Sequence, residues 1–191
     1  TDTHETLARK VRLATILGTW QSTLTNFKYV RKIWSNNTEE ERLLGVSLTG
    51  IMDNEMLSGR SAQYGMNIGH MLQDLRSIAV HTNKQLAEKL GIPQSTAVTC
   101  VKPSGTVSQL VDSASGIHAR HSKYYIRTVR GDNKDPLTQF MKDQGIPNEP
   151  DVMKPDQTTV FSFPMASPVN CVDRNAMTAL EQLEMWMIYA R

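Results

Sequence analysis

Between Ser95 and Gly116 the chain reads STAVTCVKPSGTVSQLVDSASG, a stretch whose residue types suit the binding of an anion. Thr96, Val98, Thr99 and Val101 form a β-branched run, expected to be a buried strand. Lys102, Pro103, Ser104 and Gly105 follow, and Thr106 to Val111 suits a short helix. A strand that turns through Pro and Gly into a helix leaves several backbone N–H groups unpaired and aimed at one point, where a phosphate settles. Pro103 fixes φ, and Gly105 lets the backbone approach closely. Ser104, Thr106 and Ser108 add hydroxyl donors, and Lys102 adds a positive charge. The spacing is neither that of a P-loop nor GxGxxG. Turn geometry alone also selects Ser, Gly and Pro. From these residues, a phosphate cradle and a plain connector both stay open.

Other polar residues invite weaker readings. His118, Arg120 and His121, in GIHARHSKYY, form a cluster that either edges an active site or orders a solvated loop. No carboxylate lies at useful spacing from the histidines, so no metal site is expected. Asp53, Asn54 and Glu55 are read as a charged loop capping a strand. Arg127 and Arg130 are read as the solvent side of a strand. Cys100 is expected in the core and Cys171 in a loop. They are the only two cysteines and make no CxxC, which argues against zinc and for a reducing, cytoplasmic setting.

Composition limits the possibilities. A chain of 191 residues can bury a real core and is expected to form one domain. Hydrophobic content of 39% and charged content of 21% suit a globular protein rather than a disordered one. A net charge of +2 gives no sign of a general nucleic-acid binder. No apolar run approaches the roughly 18–20 residues that span a membrane, and no signal peptide opens the chain. The chain starts on Thr1 and stops at Arg191 within a helical pattern, so it is expected to be a piece of a longer polypeptide.

The elements that would position the turn follow from periodicity. Leu7, Val11, Ala14, Leu17, Leu24 and Phe27 predict a long first helix, capped by Asp2 or Thr3. Thr38 with Glu41 reads as a capping box opening a second helix. LLGVSLTGIMD reads as a buried strand or a close approach of backbones. Leu72, Leu75, Ala79, Leu86 and Leu90 predict a helix from about Gly69 to Leu90, stopped by Gly91 and Pro93. Tyr124 to Arg130 alternates as a strand, and Asp135 with Pro136 opens a helix that Gly145 ends. Pro147 to Pro155 reads as loop, and Thr158 to Phe163 as a strand stopped by Pro164. Met177, Leu180, Leu183 and Met187 predict a last helix. Met52, Met56, Met66 and Met71 are read as adaptable packing. Helices alternating with single strands indicate an α/β architecture.

Four segments resemble the adenosylcobalamin-dependent (class II) ribonucleotide reductases. They are LATILGTWQSTLTNFKYVRKIW, EERLLGVSLTGIMD, TCVKPSGTVSQLVDSASGIHARHSKYYIRTVR and KDPLTQFMKDQGIPNEPDV, in the order the family has them. The resemblance looks closest to the triphosphate-reducing branch. It implies that residues 1–191 are the C-terminal half of a ten-stranded catalytic α/β barrel, incomplete at both ends. It also implies that Pro103, Ser104, Gly105, Thr106 and Val107, with Ser108 beside them, bind the phosphates of a ribonucleoside tri- or diphosphate. His118 and Arg120 stay candidates for the active-site edge, facing substrate or corrin, with no role carried over from the family. The implied cofactor is adenosylcobalamin and the implied partner a thioredoxin-like reductant, with no nucleic acid and no membrane. The family's radical and redox cysteines are expected outside this segment, and Cys100 matches none of them. Two rivals are a non-catalytic phosphate- or nucleotide-binding α/β module and a related radical barrel with an iron or glycyl-radical initiator.

Overall fold

A computed structural model of the chain describes residues 2–60 and 67–191. Of the methionines read as packing, Met66 lies outside the described residues. Met52 and Met71 are buried in the core, and Met56 packs against it. The chain divides into two compact units, Thr1–Arg120 with Asn170–Arg191, and His121–Val169.

The first unit is mainly helical. Helix α1, His4–Gln21, opens on Thr3, which exchanges capping bonds with Thr6. Its buried stripe is Leu7, Val11, Thr15 and Thr19, whereas Ala14 and Leu17 are exposed. The two buried threonines are accommodated because each donates its hydroxyl proton one turn back, Thr15 to Val11 O and Thr19 to Thr15 O, both at 2.8 Å. Helix α2, Lys32–Glu41, ends where the sequence predicts it to begin. Thr38 is not its cap: its hydroxyl bonds back to Trp34 O within the last turn.

Helix α3, Ile68–Leu90, packs against α1. Asn67 caps it, and Gly91 closes it with φ +64°. Met71, Leu75, Ala79 and Ala87 join the core, while Leu90 is exposed. Helix α5, Ala179–Ala190, is held through Met185 and Tyr189. The stripe predicted for it, Leu180, Leu183 and Met187, faces outward instead.

The expected strand at 96–101 is shorter and less buried than its β-branched run suggests. Leu44 and Val46 donate to Ala97 O and Val98 O, and Cys100 returns a bond to Val46 O, around a single parallel bridge between Val46 and Thr99. Val98 is buried, but Cys100 and Val101 are exposed. Cys100 is therefore not a core residue. It borders a cavity of about 730 Å³ that Val46, Ile51 and Tyr189 also line, so it has open space beside it rather than packed side chains.

The second unit carries an antiparallel sheet of three strands in the order β1-β3-β2: β1 Tyr124–Asp132, β2 Asn148–Pro150 and β3 Thr158–Ala166. Helix α4, Pro136–Asp143, is capped by Asp135, as the sequence predicts. Strand β2 lies inside the predicted loop. Strand β3 runs through Pro164 instead of stopping there. Ser162 N–H points to the β2 side, bonding Pro147 O, so the N–H that Pro164 lacks would also point to that side. Strand β2 has already ended at that level, and no ladder bond is lost. The architecture is thus mixed helix and sheet. The described residues contain this one small sheet and isolated bridges rather than a closed barrel.

Candidate phosphate-binding turn

Three loops of the first unit meet at the turn: 47–54, 102–106 and 112–116. Lys102 N–H donates to Ser47 Oγ at 3.2 Å, which ties the end of the 97–100 segment to the first loop. Pro103 is exposed, and Ser104 takes helical torsions (φ −75°, ψ −18°) ahead of a 3-10 helix, Gly105–Val111. The helix's first bond runs from Val107 N–H to Ser104 O at 3.2 Å. The N–H groups of Ser104, Gly105 and Thr106 precede that bond and donate to no other described residue. Gly105 has φ +52°, and no atom lies within 4 Å of the point a Cβ would occupy there. Three successive amide protons thus remain uncommitted on an accessible turn.

The side chains divide by direction. Thr106 and Val107 are exposed, and Ser104 is half-buried. Ser108 is 1% exposed and spends its proton on Gly105 O at 2.8 Å, so it braces the turn from inside. The tip of Lys102 lies over Gly45, where a Cβ would meet Lys102 Cε at 2.7 Å and Nζ at 2.9 Å. A side chain at position 45 would only displace the flexible tip of Lys102.

A buried ion pair fixes the loop behind the turn. Arg120 Nε and Nη2 meet the two oxygens of Asp53 at 2.9 and 2.8 Å, a forked pairing. Nη2 also reaches Asp112 O at 3.0 Å, and Ala114 N–H donates to Asp53 Oδ2 at 2.6 Å. Gly50 N–H and Ile51 N–H donate to Ala114 O and Gly116 O. Gly116, at φ +52°, packs so closely that a Cβ would lie 3.0 Å from Lys102 O and 3.7 Å from Ser104 N. Thr49 completes the assembly: its Oγ1 lies 2.9 Å from Ser104 Oγ, accepts from Gly116 N–H at 3.0 Å and donates to Ala114 O at 3.1 Å.

Of the predicted polar cluster, Arg120 lies in this interior pair and His118 at the surface, its N–H on Ser115 O. His121 belongs to the second unit and meets the Tyr125 ring edge-on, with centroids 5.8 Å apart. Asp53 is more than a capping charge, since it orders the 112–116 loop. Thr49 escaped notice in the sequence. Its signal was a hydroxyl one residue before Gly50, a glycine at φ +71°. Among the described residues, no group of three His, Cys, Asp or Glu side chains is placed to hold a metal, and no helix is long and apolar enough to cross a membrane.

No family model matches the chain. Its relatives are nonetheless consistent. It is 30% identical over 190 residues to the adenosylcobalamin-dependent ribonucleoside-triphosphate reductase of Euglena gracilis, covering 96% of this chain and 25% of the relative. The enzyme of the same name from Lactobacillus gasseri is 30% identical over 155 residues, covering 71% of this chain and 20% of the relative. The chain therefore spans a quarter or less of the length of these curated relatives. The crystal structure of a B12-dependent (class II) ribonucleotide reductase superposes on 95% of the chain with a TM-score of 0.76, at 23% identity and over 28% of its own length. In sequence and in fold, this chain is similar to one segment of the adenosylcobalamin-dependent, class II ribonucleotide reductases.

Proposed function

We propose that this chain is the substrate-phosphate-binding part of a ribonucleotide reductase, with Pro103, Ser104, Gly105 and Thr106 holding the phosphates of a ribonucleoside triphosphate. The observation that carries the reading is the set of three uncommitted amides at Ser104, Gly105 and Thr106, flanked by two hydroxyls on an open turn. A phosphate accepts several hydrogen bonds at once, and amides fixed in advance by a rigid turn bind it without further ordering. The names of the relatives support the substrate class and the cofactor.

Within such an enzyme the chain would supply part of a catalytic α/β barrel. Adenosylcobalamin, when bound, supplies the radical that begins reduction of the ribose. The residues of this chain act on the substrate instead. Their part is to bind and orient the nucleotide by its charged end, so that the ribose is presented to chemistry elsewhere in the enzyme. Cys100 and Cys171 have no redox role in this reading, and the segment alone is expected to bind nucleotide without reducing it. A thioredoxin-like protein would be the reductant of the complete enzyme.

The test is calorimetric titration of the full-length protein with a ribonucleoside triphosphate, beside the variant Ser104→Ala with Thr106→Ala. Each lost charge-assisted hydrogen bond is expected to weaken binding by roughly 1.5–3 kcal/mol. An unchanged affinity removes the turn from the substrate site.

A further inference from the structure

The hydroxyl of Thr49 is surrounded by more partners than one proton can serve. Its oxygen lies within hydrogen-bond distance of Ser104 Oγ, Ala114 O and Gly116 N–H. The amide can only donate and the carbonyl can only accept, so Thr49 accepts from Gly116 and gives its single proton to Ala114 O. Ser104 must then be the donor in the 2.9 Å contact with Thr49. In that arrangement the Ser104 proton is already spent; Ser115 Oγ, 3.4 Å away, can then only donate to Ser104, which has no proton left for an incoming anion. Ala114 O does not depend on Thr49, however, because it also accepts from Gly50 N–H at 2.9 Å. Thr49 can therefore turn its proton from Ala114 O to Ser104 Oγ without leaving that carbonyl unsatisfied.

We propose that Thr49 is a positioning residue for the phosphate site, turning its hydroxyl proton onto Ser104 Oγ as the anion arrives and so releasing the Ser104 proton to the anion. The inference rests on the reading of the turn as a phosphate site. Both arrangements contain the same heavy atoms, and Gly116 N–H keeps its acceptor in each. Thr49 never touches the ligand. It acts only through Ser104, so removing it loosens the phosphate grip and leaves the rest of the nucleotide site unaffected.

A double-mutant cycle in the full-length protein separates this role from mere support of the loop. Affinities for a ribonucleoside triphosphate and for its nucleoside are measured in wild type, Thr49→Val, Ser104→Ala and the double variant. Thr49→Val is expected to weaken the triphosphate about five- to tenfold, leave the nucleoside unchanged, and add less than about twofold once Ser104 is alanine. Thr49→Ser, which keeps the hydroxyl, restores triphosphate affinity. Thr49→Ala leaves room for a water on Gly116 N–H and carries the same test if the valine variant does not fold. Equal weakening by Thr49→Val in both backgrounds assigns Thr49 a structural role and overturns the proposal. So does an unchanged triphosphate affinity in Thr49→Val while Ser104→Ala weakens it. No effect of Ser104→Ala itself instead overturns the phosphate reading, and this inference with it.

Discussion

Asp53 and Arg120 bring opposite charges to a place that water hardly reaches, with side chains 13% and 3% exposed. Such a pair gains little over an apolar pair of the same volume, but removing one partner strands the other charge. Arg120→Ala is therefore expected to cost about 3–5 kcal/mol of stability, read from urea unfolding. Because Asp53 also receives Ala114 N–H and Arg120 also holds Asp112 O, that loss should loosen the 112–116 loop first. A cost below about 1 kcal/mol would show the pair to be solvated in solution. This is where the sequence was least legible. The residues with free donors, Ser104, Gly105 and Thr106, could be found from the turn chemistry of one short stretch. Asp53 and Thr49 lie more than fifty positions earlier in the chain, and no local pattern announces which loop a carboxylate will brace. Ser108 shows the same limit in reverse: its type fits a phosphate donor, but burial turns its proton onto Gly105 O.

Helix ends were legible wherever capping chemistry is local. Asp135 and Gly91 stand where the sequence places them, and Thr3 is the one of the two candidates that caps α1, because a cap needs only the next three or four residues. Thr38 misled because Thr-x-x-Glu also occurs inside a last turn, where the hydroxyl bonds back along the helix. Which face of a helix is buried was harder to foresee, since polar residues can enter the core when they find partners. Asn83 on α3 is the clearest case, at 1% exposure. Its amide nitrogen donates to Thr19 Oγ1 on α1 at 3.0 Å and to Ser95 Oγ at 2.9 Å, and its oxygen accepts from Ser95 N–H at 3.0 Å. One side chain thus joins two helices to the start of the segment that leads into the candidate phosphate turn. Asn83→Leu leaves Ser95 N–H buried without an acceptor and is expected to cost roughly 1–3 kcal/mol in thermal or urea unfolding. If the leucine is neutral, apolar packing between α1 and α3 suffices and the amide is dispensable.

At the scale of the whole chain, the expected alternation of helix and strand resolves into a helical unit and an inserted sheet unit, each with its own bonds. The first unit closes across the insertion: Arg120 and Asp173 form a parallel bridge, and Arg120 N–H donates to Val172 O at 2.8 Å. The pairing of 44–46 with 97–100 is equally brief, so periodicity could suggest an α/β class but not how its strands associate. The sheet unit has an ionic tie of its own. Asp151, 7% exposed, accepts from Arg130 Nε at 2.8 Å and from the N–H groups of Met153 and Lys154. All three bonds favour the carboxylate, and the Arg130 guanidinium, the strongest influence, holds the Asp151 carboxyl below its ordinary value. A carboxyl depressed in the folded state binds its proton more readily in the unfolded chain, where its pKa is about 3.9. Its contribution to stability is then complete above about pH 5 and disappears as pH falls through the lower folded value. Asp151→Asn should therefore be less stable than wild type at neutral pH, with the deficit shrinking as pH falls below about 4, read from hydrogen exchange of the β1 and β3 amides. A gap between the two proteins that stays constant from pH 7 to pH 3 would show that Asp151 contributes through the shape of its turn rather than through its charge.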